Sequence, residues 1–286
     1  MASFDFDQAE GLRRMLAGPK PRIFTFLSAA PDEEKSAMLV NLGISLFRAG
    51  NAVVLVDARS ASRGVAAQLE VPHGATLQDV ARQERALNEA IHPMPQGFCV
   101  ATLTSRGNWR NTPSNATSDK QQAQQLANVF GLLAAQADIL LIDGELDASG
   151  AFPLAVMEHS EIVVQVSGGA SSIKAAYSIV KQLNAQSGHR SFGILVTGVT
   201  EQEAQVVYDN MAKASKRYLA VQLSFLGSVP ADEHVKRAAR LGRSVVDAYP
   251  LAGASVAFKR LAGRVSASER TSGLRDMAAI GANLAI

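Results

Sequence analysis

Cysteine is nearly absent from this 286-residue chain, with Cys99 standing alone, and Trp109 is its one tryptophan. A single cysteine excludes an internal disulfide framework and any cysteine-rich zinc site. Aromatic residues make up only 6% of the chain, against 47% apolar residues overall. With Ala, Val, Leu and Gly in their place, the composition favours helices packed closely on a sheet over a β-sandwich. Charged residues reach only 19%, and with so much apolar material available, global disorder is excluded. Long apolar runs are missing too. The stretch 132–142 comes closest and is interrupted by Asp138, short of the 18 or more residues a membrane span needs. The opening MASFDFDQAE is acidic and has no apolar core of the secretory kind. These absences lead us to expect a cytoplasmic protein.

The five histidines, His73, His92, His159, His189 and His234, are scattered without metal-ligand spacing, so no metal site is expected from them. Residues 232–286 carry nine basic side chains against five acidic ones, a local excess of +4 in a chain of net charge +2. Such a bias attracts anionic surfaces. No base-reading motif accompanies it, so a solvated helix face is expected and nucleic acid is not an expected partner.

Apolar and β-branched runs alternate with helical periodicity. Strands are expected at 22–27, 52–56, 98–103, 138–142, 162–166, 192–196 and 223–226. Helices are expected at 33–48, 76–91, 121–136, 171–186, 201–218, 233–241 and 254–265. Several strands are apolar on both sides of the two-residue period, as strands covered on both faces must be. Strand and helix alternating at this spacing predict an α/β fold, a doubly wound and mostly parallel sheet with helices on both faces. The polar stretch 104–125 reads as a long loop running into a helix. Cys99 falls in a strand and is expected as a small buried apolar residue.

Ahead of the first strand lies an arm. Asp7 with Glu10 is a capping-box pattern built on aspartate, and Ala9, Leu12, Met15 and Leu16 share one face. Gly11 weakens the helix by about 1 kcal/mol relative to alanine, and a helix this short is marginal alone. It needs a surface to dock on. Pro19-Lys20-Pro21 separates it from the rest. The organisation expected is an arm and linker at 1–21, an α/β domain at 22–265 and a tail at 266–286, itself a candidate helix.

In an open parallel sheet, ligands bind beyond the carboxyl ends of the strands. Three ends carry chemistry: SAAPDEEKS (28–36), Asp57-Ala58-Arg59 after VVLV, and Asp143-Gly144-Glu145 after ILLI. A strand, a loop ending in Lys-Ser, a helix, then VLVDA and ILLID resemble the MinD/ParA class of deviant Walker A ATPases. The stretch LGSVPADEHVKRAARLGRSVVDAYP (226–250) and the opening DQAEGLRRML (7–16) resemble the MinD-like flagellar-number regulators of the FlhG/FleN group.

That resemblance implies a P-loop NTPase fold and, if the site works, ATP and Mg2+ held by Lys35, Ser36, Asp57 and Asp143. It also implies that the DQAxxLR arm stimulates an FlhF-type GTPase. Gln8 would reach the partner's active site, Asp7 and Arg13 would fix the helix, and Ala9, Leu12 and Leu16 would dock it. Other flagellar basal-body or regulatory proteins are implied as further partners. MinD relatives reach the membrane through a C-terminal tail. Here residues 266–286 lack Trp and Phe and hold two arginines, Arg270 and Arg275, so weak or no membrane binding is expected, at most peripheral at the inner face of the plasma membrane.

The phosphate loop departs from the class. Where KGGxGK[ST] is the pattern, Ala30 stands at the signature lysine, and Pro31, Asp32 and Glu34 stand at the glycine or near-glycine positions. A phosphate cradle needs backbone N–H groups in a glycine-permissive loop, and proline has none. Asp32, Glu33 and Glu34 bring carboxylates to where triphosphate would lie, and like charges about 4 Å apart repel by about 4 kcal/mol at an effective dielectric near 20. A helix start with proline and acidic residues suits its own dipole without phosphate. Asp32 or Glu34 as a metal ligand has no second cluster to complete it. Arg59 replaces the second aspartate of the class's DxD, and Thr197 falls where an asparagine contacts adenine. The expectation is a protein with little or no ATPase activity, no confident catalytic residue and no likely cofactor. The competing reading is a working ATPase that cycles between cytoplasm and membrane.

Overall fold

The computed structural model describes residues 21–29, 32–59, 64–104, 116–147, 149–188 and 190–282; the side chains at 32–33, 116–120, 155, 187 and 268–282 are excepted. The expected arm, with Asp7, Gln8, Ala9, Leu12, Arg13 and Leu16, lies outside the described residues, as do Ala30, Pro31, Trp109 and His189.

Eight strands form one sheet among the described residues: β1 (Arg22–Ser28), β2 (Val53–Asp57), β3 (Ile91–Pro93), β4 (Cys99–Thr102), β5 (Ile139–Asp143), β6 (Glu161–Ser167), β7 (Phe192–Thr197) and β8 (Leu223–Val229), ordered β3-β4-β2-β5-β1-β6-β7-β8. All pairings are parallel except β3 with β4. Strands β2 and β5 are buried at every position, which is why they read as unbroken apolar runs.

The helices follow in chain order: α1 (Asp32–Arg48), α2 (Val65–Gln68), α3 (Leu77–Ala81), α4 (Leu87–Ala90), α5 (Ala116–Ala134), α6 (Ala155–Glu158), α7 (Ala170–Ser187), α8 (Glu201–Leu219), α9 (Glu233–Arg240), α10 (Val245–Ala248) and α11 (Gly253–Ala282). They divide between two cores. One joins Phe130, Leu133, Val180, Leu183 and Met211 of α5, α7 and α8 to Ile142, Val164 and Val196. The other joins Leu39, Leu42 and Leu46 of α1 and Phe258 and Leu261 of α11 to Phe24, Leu55 and Leu141. The sheet is therefore sandwiched, as a doubly wound fold requires.

The expected helix 76–91 is corrected. Thr76 and Asp79 form a capping box that starts α3, but the helix stops at Ala81. Gln83 takes a left-handed backbone (φ 62°), which costs a non-glycine residue roughly 1 kcal/mol or more. The polar run Arg82–Arg85 turns the chain, α4 adds one further turn, and Ile91–Pro93 becomes an edge strand where Pro93 is tolerated. Helix α5 starts at Ala116, earlier than the start expected at 121 within the stretch that reads as a loop running into a helix. Helix α11 runs without a break through 265 to Ala282, across the expected start of the tail. Cys99 is half-buried on β4 rather than fully enclosed, and burial raises its thiol pKa.

Candidate functional site

The strand ends meet as the topology dictates. Asp57 and Asp143 are register partners at the carboxyl ends of β2 and β5, and Lys35 and Ser36 are the fourth and fifth residues of α1. Both Lys35 and Asp143 are almost fully buried. Lys35 Nζ lies 2.6 Å from Asp143 Oδ1 and donates to the Gly144 carbonyl at 2.5 Å. Ser36 Oγ donates to Asp143 Oδ2 at 3.3 Å, and the backbone N–H of Val65 donates to the same oxygen at 3.2 Å. Asp143 thus serves a cation, a hydroxyl and the first turn of α2 together.

Asp57 holds the next amide of that turn: Ala66 N–H donates to Oδ2 at 2.9 Å and Arg59 N–H to Oδ1 at 3.2 Å. Burial, and then the charge of Asp143, raise the Asp57 carboxyl to a pKa of about 6, against the pull of those N–H donors. Gly64 makes the close approach possible, since a Cβ there would lie 2.2 Å from Asp57 Oδ2. The Arg59 side chain is nearly buried and stands 3.9 Å from Glu145 Oε2. Gly144, the first residue past β5, is also tightly placed: a Cβ would sit 2.8 Å from Thr25 Cγ2, so position 144 has little room for a side chain.

On the other side of β1, Thr197 at the end of β7 is buried and accepts from Gln165 Nε2 at 3.2 Å. Ser172 Oγ ties the loops together, accepting from Ser167 N–H at 2.9 Å and donating to the Ala29 carbonyl at 2.9 Å. Lys35, Ser36, Asp57 and Asp143 are brought together as the resemblance implies, while Thr197 belongs to a separate strand end.

The structure also assembles what sequence spacing could not show. A cavity of about 200 Å³ beside Asp57 and Arg59 is lined by His73, His92, Thr102 and Thr104. His73 and His92 are nineteen positions apart in the chain and flank Gly74, whose Cβ would lie 3.5 Å from His92 Cε1. Among the described residues, no group of three His, Cys, Asp or Glu is set to hold a metal ion. No described helix is long and apolar enough to cross a membrane.

The chain is 28% identical over 232 residues to the antiactivator FleN of Pseudomonas aeruginosa, covering 81% of each protein. Its fold superposes on the cell division ATPase MinD of Pyrococcus furiosus at a TM-score of 0.63 and 19% identity, covering 86% of this chain and 98% of that one. The septum site-determining protein MinD of Pyrococcus horikoshii, solved in complex with Mg-ADP, matches at 0.61 and 19%, covering 86% and 96%. The chain has the MinD/ParA-type fold. No family model matches it. At this end of the sheet Lys35 and Ser36 both engage Asp143, while Asp57 holds the backbone amides of Ala66 and Arg59.

Proposed function

We propose that the chain is a MinD-like regulator of flagellar assembly that acts through protein contacts, with little or no ATP turnover, and that its arm stimulates an FlhF-type GTPase. The likeness to FleN supports the regulatory role, and the DQAEGLR motif at 7–13 supports the arm's role. The observation that carries the loss of ATP chemistry is the closure of Lys35 on Asp143 and the Gly144 carbonyl. The buried amine already has a carboxylate and a carbonyl. The carboxylate also receives the Ser36 hydroxyl and an α2 amide. Nucleotide would have to break this set, and the sequence of the loop, with Pro31 and three consecutive acidic residues at 32–34, offers no cradle to compensate. These groups do not fit Mg-ATP as they stand, and no step of the function runs through it.

Calorimetric titration with ATP and magnesium tests this half of the reading. No binding is expected at millimolar nucleotide, and Lys35→Ala should leave that result unchanged. Micromolar binding, or ATP-dependent dimerisation lost in Lys35→Ala, would instead favour an ATPase that cycles between cytoplasm and membrane. The arm is tested separately. A peptide of residues 1–20 should speed GTP hydrolysis by the cognate FlhF-type GTPase, and Gln8→Ala should remove most of the effect. A glutamine amide can orient an attacking water without being a strong base. Turnover unchanged by the peptide and by the full chain would refute it.

A further inference from the structure

Among the described residues the sheet ends on one side at β8. Strand β8 pairs with β7 on one side and has no strand on the other among the described residues. An open edge is a template for another strand. Two of its carbonyls take side-chain donors: Arg264 Nη1 to Leu226 O and Tyr208 Oη to Leu223 O, both at 2.9 Å. Beside it runs a groove of about 440 Å³, lined by Phe225 and Gly227 of β8 and by Val256, Arg260, Leu261 and Arg264 of α11.

The two flanks of this edge differ in chemistry. On the α11 side, Arg260 and Arg264 stand one helical turn apart, roughly 6 Å along the axis. Glu201 lies 3.6 Å from Arg260, with both side chains exposed, so the groove keeps a positive excess. On the α8 side, Tyr208 and Phe225 stack with centroids 5.1 Å apart, both half-buried. A strand that fits must carry acidic residues on one face and apolar ones on the other, at a spacing of two.

The chain contains such a segment. Residues 3–7 read Ser-Phe-Asp-Phe-Asp, with no basic residue in the first ten. In an extended strand Asp5 and Asp7 share a face, roughly 6.6 Å apart, and Phe4 and Phe6 share the other. The connection is also favourable. The Arg22 guanidinium donates to the carbonyl of Val265, the residue that follows Arg264. The start of the described chain is therefore within one side chain's reach of α11, the helix that walls the groove. Strand β8 is three strands from β1, roughly 14 Å, and residues 8–21 can span up to about 46 Å.

We propose that residues 3–7 of this chain dock as an added strand on the β8 edge, with Asp5 and Asp7 against Arg260 and Arg264, and Phe4 and Phe6 against the Tyr208–Phe225 pair. The proposal shares Asp7 with the arm used in the GTPase reading, and the exchange experiment contains no GTPase, so failure of one is distinguishable from failure of the other.

Hydrogen–deuterium exchange on the full chain tests it. Deleting residues 2–7, which removes nothing from the described fold, should raise amide exchange across 224–228 about tenfold and leave β2 and β5 unchanged. Arg260→Glu with Arg264→Glu should raise exchange at 224–228 equally. Adding Asp5→Arg and Asp7→Arg to that pair should restore protection, a rescue that general loss of stability cannot produce. Unchanged exchange at 224–228 on deletion, or failure of the charge swap, would overturn the proposal. Protection that disappears on dilution would overturn it in favour of a second copy donating the strand.

Discussion

Removing the Lys35 amine should destabilise the fold far more than it alters any ligand response. The pair Lys35–Asp143 is closed at 2.6 Å with side-chain exposures of 3% and 1%. Taking one partner from a buried pair leaves the other uncompensated, a loss of about 3–5 kcal/mol. In Lys35→Ala the stranded group is Asp143, whose register neighbour is Asp57, so two carboxylates face each other without their cation. For a domain of this size each kcal/mol moves the melting temperature by about 2–4 °C, and a fall of about 6–20 °C follows.

Thermal melting at pH 7.5 is the assay, with Asp143→Asn and the double variant Lys35→Met/Asp143→Leu as companions. Replacing a buried pair by apolar residues is often close to neutral. The double variant should therefore recover most of the loss, giving a coupling of about 2 kcal/mol or more. In Lys35→Ala the deficit should shrink as pH falls towards 5, because protonating Asp57 removes one of the two opposed charges. A Lys35→Ala protein within about 1 kcal/mol of wild type, or a double variant whose effect is the sum of the singles, would refute the reasoning and mean that the amine is solvated and free to meet a ligand.

Asp57 gives a pH dependence of its own. Its carboxyl titrates at about 6 in the fold against about 3.9 in an unfolded chain, so the native state holds the proton more tightly. Its contribution is greatest below about pH 4 and is lost as pH rises through 6, roughly 3 kcal/mol in all; urea unfolding across pH 4–7 should show this slope in wild type and not in Asp57→Asn, and parallel curves would contradict it. Gly64→Ala has an ordinary backbone (φ −82°) but a Cβ placed 2.2 Å from Asp57 Oδ2, so it should cost about 1–3 kcal/mol and bring the Asp57 pKa down as the carboxylate is displaced, measurable by carboxyl NMR titration. Gly97 combines φ +98° with a Cβ 2.1 Å from Phe47 Cε1, whereas Gly50 at φ +90° meets nothing within 4 Å. Alanine should therefore cost about 1–2 kcal/mol at Gly50 and clearly more at Gly97 by denaturant unfolding, and equal losses would show that Phe47 yields freely.

The sheet was legible because burial on both faces writes itself into the sequence. VVLVD and ILLID are apolar at every position but the last, and those last aspartates mark the site. The arrangement within the site was not legible. Nothing in the spacing of Lys35, Ser36 and Asp143 says that the amine turns onto the carboxylate rather than outward, because that depends on how α1 seats its first turn against β5. The misread helix at 76–91 had a wider consequence. Leu77, Val80, Ala81 and Leu87 keep a helical period, and a continuous helix over 76–91 would carry residue 92 roughly 24 Å from residue 76. On that reading His73 and His92 could never share a cavity. The polar run Arg82–Arg85 cannot hold a buried face. The chain instead turns at Gln83, and the return strand Ile91–Pro93 carries His92 back beside Gly74. The same break that hides the edge strand from periodicity builds the two-histidine wall facing Asp57, so an error in secondary structure became an error about which side chains could ever meet.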